Sequence, residues 1–374
     1  MSDEKKIVEN NLRIIIAGGG TGGHIFPAIA IANAIKKIKP DTQFLFVGAK
    51  GKMEMEKVPQ AGYEIKGLDI AGFDRSSLIK NIGLPFKILK SFLQVSKIIK
   101  NFKPHAVIGV GGYSSFPVLR FAQSKNIPTF IHESNSFAGK SNILLGKKAT
   151  QIFTASDNME TFFPLSKIVK TGNPVRQSIT QSQVSKSGSL KFLGLQENKK
   201  TVLVVGGSLG AKSINEAINK NIEAFAKNNL QLIWQTGKPY FETALATVNG
   251  HNEICMKDFI TQMEYAYGAA DVVISRSGAM AVAELCLVKK PVIFVPYPYA
   301  AEDHQTANAR ALVEKNAALI VKDDDAGNDL VNTLLKLIAD ENLQDELKNN
   351  ISTLAIKNAD EIIAFKILQA INNA

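Results

Sequence analysis

The sequence predicts an α/β protein of two doubly wound, Rossmann-like domains facing each other across a cleft. Three observations lead there. The chain has 374 residues, more than a single hydrophobic core usually organises. Each half runs through short β-branched strands, glycine-rich turns and helices. The pattern also recurs: HAVIGVGGYSSFPVLRFAQSKNIPTFIHE in the first half matches DVVISRSGAMAVAELCLVKKPVIFVPY in the second, as strand, glycine turn, helix, strand.

Composition narrows the class. The chain is 45% hydrophobic and 21% charged, which excludes a disordered or fibrous protein. Cys255 and Cys286 are its only cysteines. They exclude a disulfide framework and a cysteine-rich metal site, and they fit a reducing compartment. The opening residues MSDEKKIVENN are charged and polar, with no signal-peptide pattern. No apolar run approaches the roughly 18 residues a spanning helix needs. An intracellular protein, soluble or peripheral to a membrane, is expected.

The elements follow in order. Leu12–Ala17 is short, β-branched and ended by glycines, so it reads as a buried parallel strand. A helix follows His24. TQFLFVG is a second strand, and HAVIGVGG and IPTFIHE bracket another helix. QIFTAS and KIVKTGNP are shorter strands. Residues 177–190, polar and serine-rich, read as a linker or variable loop. TVLVVGGSLGAKSINEAI then restarts the series, with QLIWQTG as its second strand. These boundaries predict a first domain over 1–176 and a second over 177–351. An amphipathic helix within 352–374 is expected to pack back on the first.

In such sheets ligands bind beyond the carboxyl ends of the strands, where every glycine turn falls. Gly18, Gly20 and Gly23 formally satisfy G-x-G-x-x-G, but the second strand ends Phe46-Val47-Gly48-Ala49-Lys50 with no acid for a ribose, against a dinucleotide site. So dense a glycine turn instead brings backbone N–H groups close to an anion or a sugar. His24 opens the following helix and is placed to take a proton. Gly206–Ala211 joins a strand to a helix start and suits a pyrophosphate, with Ser208 adding a hydroxyl. Glu284 lies on an otherwise apolar or small-residue helix, so its carboxylate needs a partner. A ribose diol fits, and a buried ion pair with Arg310 is the alternative. Gln305 and Asn308 share a helical face and offer amides to sugar hydroxyls. Asp323–Asp325 reads as a solvated loop, and the five histidines show no ligand spacing, so neither metal nor cofactor is expected.

The charge is uneven. Seven of the basic residues and one acid fall in 73–103, which supplies +6 of the net +10. On a helical projection of 86–103, Ile88, Phe92, Val95 and Ile99 share one side and Lys87, Lys90, Lys97 and Lys100 lie broadly opposite, with Phe86 and Leu93 among the lysines. Ile79, Ile82 and Leu84 add apolar surface upstream. Apolar groups ringed by lysines suit an anionic lipid surface. A nucleic-acid partner is not expected, since stacking aromatics do not alternate with the lysines.

From Ile14 to about Arg310 the chain resembles the MurG family of glycosyltransferases. The motifs are the glycine turn ending GGTGGH at His24, GGYSSFP at 111–117, HESN at 132–135, TGNPVR at 171–176, GGSLGA at 206–211, ADVVISRSGA at 270–279, and Gln305 with Asn308. The resemblance implies a GT-B fold and inverting transfer of N-acetylglucosamine (GlcNAc) from UDP-GlcNAc. The acceptor would be the 4-hydroxyl of N-acetylmuramic acid in lipid I and the product lipid II, made peripherally at the cytoplasmic face of the bacterial membrane. It implies Glu284 on the ribose and Ser208 on the diphosphate. Phe259, Ala279 and Met280 would lie at the uracil, and Gln305 and Asn308 at the sugar. Thr21, Gly22, Gly23 and Arg176 join the donor side. Tyr113, His132, Glu133 and Asn135 face the acceptor, and His24 is the general base. Ser134, Leu209, Ala281 and His304 depart from common family residues and alter polar contacts near the substrates. Three rivals are a glycolipid synthase of the same fold, a UDP-GlcNAc epimerase, and a non-catalytic nucleotide-sugar binder.

Overall fold

A computed structural model describes residues 11–72 and 84–373. The chain divides into two compact units, one running to Arg176 and resuming at Asn358, the other spanning Gln177–Lys357. Residues 352–357 therefore group with the second unit.

In the first unit the strands are β1 (Arg13–Ala17), β2 (Gln43–Ala49), β3 (Glu64–Leu68), β4 (Ala106–Gly109), β5 (Thr129–Glu133), β6 (Gln151–Thr154) and β7 (Ile168–Lys170). All pair in parallel, in the order β3-β2-β1-β4-β5-β6-β7. The helices are α1 (Gly22–Ile38), α2 (Glu54–Gln60), α3 (Leu84–Phe102), α4 (Ser115–Ser124) and α5 (Lys140–Gly146). Strand order reverses between β1 and β4, which makes their carboxyl ends the switch point where ligands bind in such sheets. Both faces of the sheet are covered, which is why its strands read as continuous apolar runs. Ile14, Ile16 and Ile108 pack on one face with Ile31 and Ile35, while Ile15, Val107 and Ile131 pack on the other with Val95, Val118 and Leu119.

The second unit repeats the plan. Its strands are β8 (Lys200–Val205), β9 (Leu230–Gln235), β10 (Ile254–Lys257), β11 (Val272–Ser275), β12 (Val292–Phe294) and β13 (Leu319–Ile320), ordered β10-β9-β8-β11-β12-β13. Its helices are α6 (Gln177–Thr180), α7 (Lys186–Leu193), α8 (Lys212–Lys220), α9 (Ile222–Lys227), α10 (Phe241–Val248), α11 (Met263–Ala269), α12 (Ala279–Val288), α13 (His304–Val313), α14 (Ala326–Ala339) and α15 (Glu341–Thr353). Trp234, Phe225, Leu230 and Leu334 are among the core of one face. The last helix, α16 (Ala359–Asn372), returns to the first unit, where Ile363, Ala364, Ile367 and Leu368 enter the core beside α1.

Two expectations need correction. The serine-rich stretch 177–190 is not wholly a linker or loop: it forms α6 and the start of α7, and only 181–185 between them is irregular. Ser185 caps α7, its hydroxyl accepting from Gly188 N–H at 3.0 Å, and Gly194 ends the helix in the left-handed conformation. Serine there is a helix-start signal. The stretch Asp323–Asp325 is not wholly a solvated loop either, because Asp323 is ion-paired with Arg276 and accepts from the Ser213 hydroxyl.

Helix α3 exposes the apolar side chains expected. Phe86 is 77% and Leu93 68% exposed, and Leu89 joins them at 63%, while Val95 and Ile99 are buried. Lys90 does not point freely outward, since it and Lys50 both bind Asp69 at 3.0 and 2.7 Å. Those two lysines hold the Asp69 carboxyl down to about 2. Residues 73–83, including Ile79 and Ile82, lie outside the described residues. No described helix is long and apolar enough to cross a membrane.

Candidate functional site

In the first unit the switch point is built from two glycine turns in close contact. Gly18 sits at φ +144°, and a Cβ on it would lie 2.5 Å from the Gly111 carbonyl; one on Gly112 would lie 2.6 Å from the Gly19 carbonyl. Side chains here would force the turns apart. His24 is half-buried in the first turn of α1. Its Nδ1 lies 3.1 Å from the Gly19 carbonyl and 3.5 Å from the Thr21 hydroxyl. Its ring lies against Gly111, where a Cβ would meet Nε2 at 2.8 Å. With Nδ1–H donating to Gly19, Nε2 is the nitrogen that accepts a proton.

Sequence reasoning missed the acid beneath this turn. Glu54 is 1% exposed. Its carboxylate accepts from Gly20 N–H at 2.8 Å and from Ala49 N–H at 2.9 Å. No acid ends β2 itself; the Glu54 carboxylate reaches that strand end from α2. Gly20 N–H is thereby committed to the protein rather than offered to a ligand.

The other residues named for this unit sort by burial. Tyr113 is half-buried after β4, and burial, followed by the Glu54 charge, raises its pKa. His132 is fully buried, with Nδ1 3.3 Å from the Ser134 hydroxyl and Nε2 3.4 Å from the Gly172 carbonyl. Burial pushes its pKa down to about 4. Glu133 is 3% exposed. It accepts from the Asn135 and Gly139 N–H groups and from the Asn135 and Asn142 amides, at 2.8 to 3.3 Å. It organises the loop that carries Asn135, which is half-buried. Thr21 is exposed and Gly22 and Gly23 are half-buried. Arg176 lies over the Phe26 ring of α1, 5.1 Å from its centroid, so it belongs to this unit.

In the second unit the switch point lies between β8 and β11. Gly206–Ala211 leaves β8 and turns into α8. Gly210, at φ +76°, approaches so closely that a Cβ would stand 1.9 Å from the Thr236 carbonyl. Gln235 buttresses the turn, donating to the Gly207 carbonyl at 2.9 Å and accepting from Ile260 N–H at 2.8 Å. Ser208 is exposed at the tip and Leu209 is 73% exposed. The turn presents a hydroxyl and a helix N-terminus, features that attract an anion.

Glu284 is 5% exposed on α12. The buried Tyr267 hydroxyl donates to its Oε2 at 3.0 Å. Arg310, the ion-pair alternative, is exposed. Ala279 and Met280 are half-buried at the start of α12, and Phe259 is 40% exposed beyond β10. Gln305 accepts from Tyr297 N–H at 3.0 Å, and Asn308 donates to the Ser277 carbonyl at 3.1 Å. The Ser277 hydroxyl donates to the Gln305 carbonyl at 2.8 Å, so these amides also tie α13 to the turn after β11. Arg276, quoted in a motif but given no role from sequence, donates to the carbonyls of Val295 and Pro296 at 2.9 and 3.0 Å and pairs with Asp323. It stacks on Tyr297 at 5.5 Å. A buried guanidinium fully engaged in this way fixes three loops at once.

The glycosyltransferase family 28 N-terminal domain matches residues 14–154 and the glycosyltransferase family 28 C-terminal domain residues 201–363. A UDP-N-acetylglucosamine–N-acetylmuramyl-(pentapeptide) pyrophosphoryl-undecaprenol N-acetylglucosamine transferase of Phocaeicola vulgatus is 51% identical over 365 residues, 97% of each chain. The transferase of the same name from Bacteroides thetaiotaomicron is 50% identical over 97% of this chain and 98% of its own. The crystal structure of Acinetobacter baumannii MurG superposes with a TM-score of 0.76 at 29% identity, covering 96% of this chain and 99% of that one. A putative UDP-N-acetylglucosamine 2-epimerase from Listeria monocytogenes shares the fold at a TM-score of 0.69 and 15% identity, covering 97% of this chain and 96% of that one. The paired parallel sheets with glycine turns at both switch points are thus those of a GT-B glycosyltransferase, and the chain belongs to glycosyltransferase family 28.

Proposed function

We propose that this protein transfers GlcNAc from UDP-GlcNAc to the 4-hydroxyl of N-acetylmuramic acid in lipid I, with inversion, and forms lipid II for peptidoglycan. The observation that carries this reading is 51% identity across 97% of both chains to a transferase of that name. The geometry supports it in both units.

On the donor side, Glu284 accepts from the ribose hydroxyls, with Tyr267 fixing one of its oxygens. Phe259, Ala279 and Met280 pack at the uracil. The turn at Ser208 and the start of α8 receive the diphosphate, so charge building on the leaving UDP meets oriented N–H groups and a helix dipole. Gln305 and Asn308 read the sugar, and within the first unit Thr21, Gly22, Gly23 and Arg176 are the residues given to the donor. On the acceptor side, Tyr113 and Asn135 contact the muramic acid and pyrophosphate. His132 and Glu133 act from within, by holding Ser134, the Gly172 backbone and the 134–142 loop. His24 takes the proton of the attacking hydroxyl through Nε2. The hydroxyl attacks the anomeric carbon opposite the departing UDP, which inverts it. The enzyme works at the cytoplasmic face of the membrane as a peripheral protein, with Phe86, Leu89 and Leu93 of α3 entering an anionic lipid surface.

The test gives purified protein UDP-GlcNAc and a lipid I analogue in detergent with excess chelator, and follows products by mass spectrometry. A product heavier by one GlcNAc, with UDP released, is expected. Conversion of UDP-GlcNAc to an isomer without transfer would overturn the reading in favour of an epimerase. Donor binding with no turnover would overturn its acceptor half.

A further inference from the structure

Glu54 has no part in the sequence motifs, yet two glycines make room for it. A Cβ at Gly19 would stand 2.4 Å from its carboxyl carbon, and one at Gly48 would stand 2.4 Å from its Cγ. Among the described residues it has no ion-pair partner. Both its oxygens face backbone N–H groups instead. Seating a carboxylate at 1% exposure without a cation is costly, so simple turn anchoring is a poor reason for it: a neutral side chain or a water would serve.

The peptide it grips gives the reason. Gly20 N–H and Gly19 C=O are the two ends of one peptide group. Glu54 Oε2 accepts from the N–H at 2.8 Å, and the C=O faces His24 Nδ1 at 3.1 Å. The order is therefore carboxylate, peptide, imidazole. A carboxylate on the N–H polarises the peptide and makes its carbonyl a stronger acceptor. That acceptor fixes the Nδ1–H tautomer, aims Nε2 and stabilises the imidazolium that forms on proton uptake. This is the service an aspartate gives a catalytic histidine in hydrolases, with one peptide interposed.

We infer that Glu54 is a positioning residue for His24, acting through the Gly19–Gly20 peptide to set its tautomer and basicity. The inference rests on His24 being the base in the reading above. Buried His132 of β5 interacts electrostatically with His24, Tyr113 from the turn after β4 feels the Glu54 charge, and Arg176 stacks on Phe26 of α1. A change at Glu54 removes none of them, so a change in His24 titration reads Glu54.

The experiment is nitrogen NMR of the full chain with labelled histidine, the His24 signals assigned with His24→Gln. In the wild-type protein neutral His24 carries its proton on Nδ1. In Glu54→Gln the His24 midpoint moves down by roughly one pH unit, because the lost charge no longer favours the imidazolium. In the transfer assay kcat falls about tenfold or more while KM for UDP-GlcNAc stays within about twofold. Glu54→Asp, which keeps the charge, returns the midpoint toward wild type. An Nε2–H tautomer in the wild-type protein would overturn the inference, and this measurement needs no variant to fold. So would an unmoved midpoint in folded Glu54→Gln, which would leave Glu54 a turn anchor only. If the midpoint moves but the wild-type protein transfers no sugar, the coupling stands and the functional reading fails.

Discussion

His132 is fully buried between the Ser134 hydroxyl and the Gly172 carbonyl, and burial lowers its pKa from 6.5 to about 4. A histidine depressed in the folded state binds its proton more readily when unfolded. Its contribution to stability is therefore complete above pH 6.5 and is lost as pH falls toward 4. The full difference is on the order of 3 kcal/mol. Urea unfolding of the first unit, followed by hydrogen exchange at the Phe130 and Ile131 amides of β5, should show stability falling over that range. His132→Phe should flatten the fall, leaving the titrations common to both proteins, those of the carboxylates and of His105, which burial and Arg13 also lower. An equal slope in the variant would remove His132 from the account. At this scale the sequence was legible where a residue is unusual in its neighbourhood. Glu284 stood out on an apolar helix, and His24 stood out behind a glycine run. Glu54 did not, because MEMEKVPQ looks like any solvated helix start and only its burial marks it.

Helix α3 is amphipathic in an unusual way. Its buried side holds Val95 and Ile99, and its outer side mixes lysines with Phe86, Leu89 and Leu93. An exposed apolar cluster on a basic helix is costly in water and favourable in an anionic lipid interface. Phe86→Ser with Leu93→Ser should cut binding to phosphatidylglycerol vesicles by about tenfold or more, since each side chain contributes on the order of 1–2 kcal/mol. UDP-GlcNAc affinity should stay the same, as calorimetry would show. Unchanged vesicle binding would take the membrane role away from this helix. Among strands, the central ones were readable and three edge strands were not. β3, β10 and β13 lie at sheet edges, where burial is partial. EIKGL has no continuous apolar run because half of it faces water.

At the scale of the whole chain, α16 decides which unit closes where. The polypeptide leaves the first unit at Arg176, builds the second, and returns. Ile363, Ala364, Ile367 and Leu368 then complete the core beside α1, and Lys37 pairs with Glu361 at 2.9 Å on the exposed rim. A fully buried isoleucine or leucine contributes about 1.5–3 kcal/mol, whereas the exposed pair adds little. A chain ending at Lys357 should lose the first unit's cooperative transition while keeping the second. The only tryptophan, Trp234, is fully buried in the second unit. Its fluorescence should keep a native midpoint in urea while circular dichroism loses amplitude at low denaturant. Loss of both signals together would mean that the units do not unfold separately.

Several things followed from the sequence alone. Two strand–turn–helix series fixed two parallel sheets, because strands buried on both faces must be apolar throughout and parallel strands need crossover helices. The glycine turns located the switch points, because only glycine allows backbone to approach backbone as Gly18 does Gly111 and Gly210 does Thr236. The run of motifs was enough to place the chain in its family. Tertiary structure decided how polar groups are shared. It alone brings Glu54 beneath the Gly19–Gly20 peptide, Tyr267 to Glu284 and Asp323 to Arg276. Such partners lie far apart in the chain or on unrelated elements, so no local period or spacing encodes them. The need to satisfy every buried charge and hydrogen bond selects them once the chain has closed.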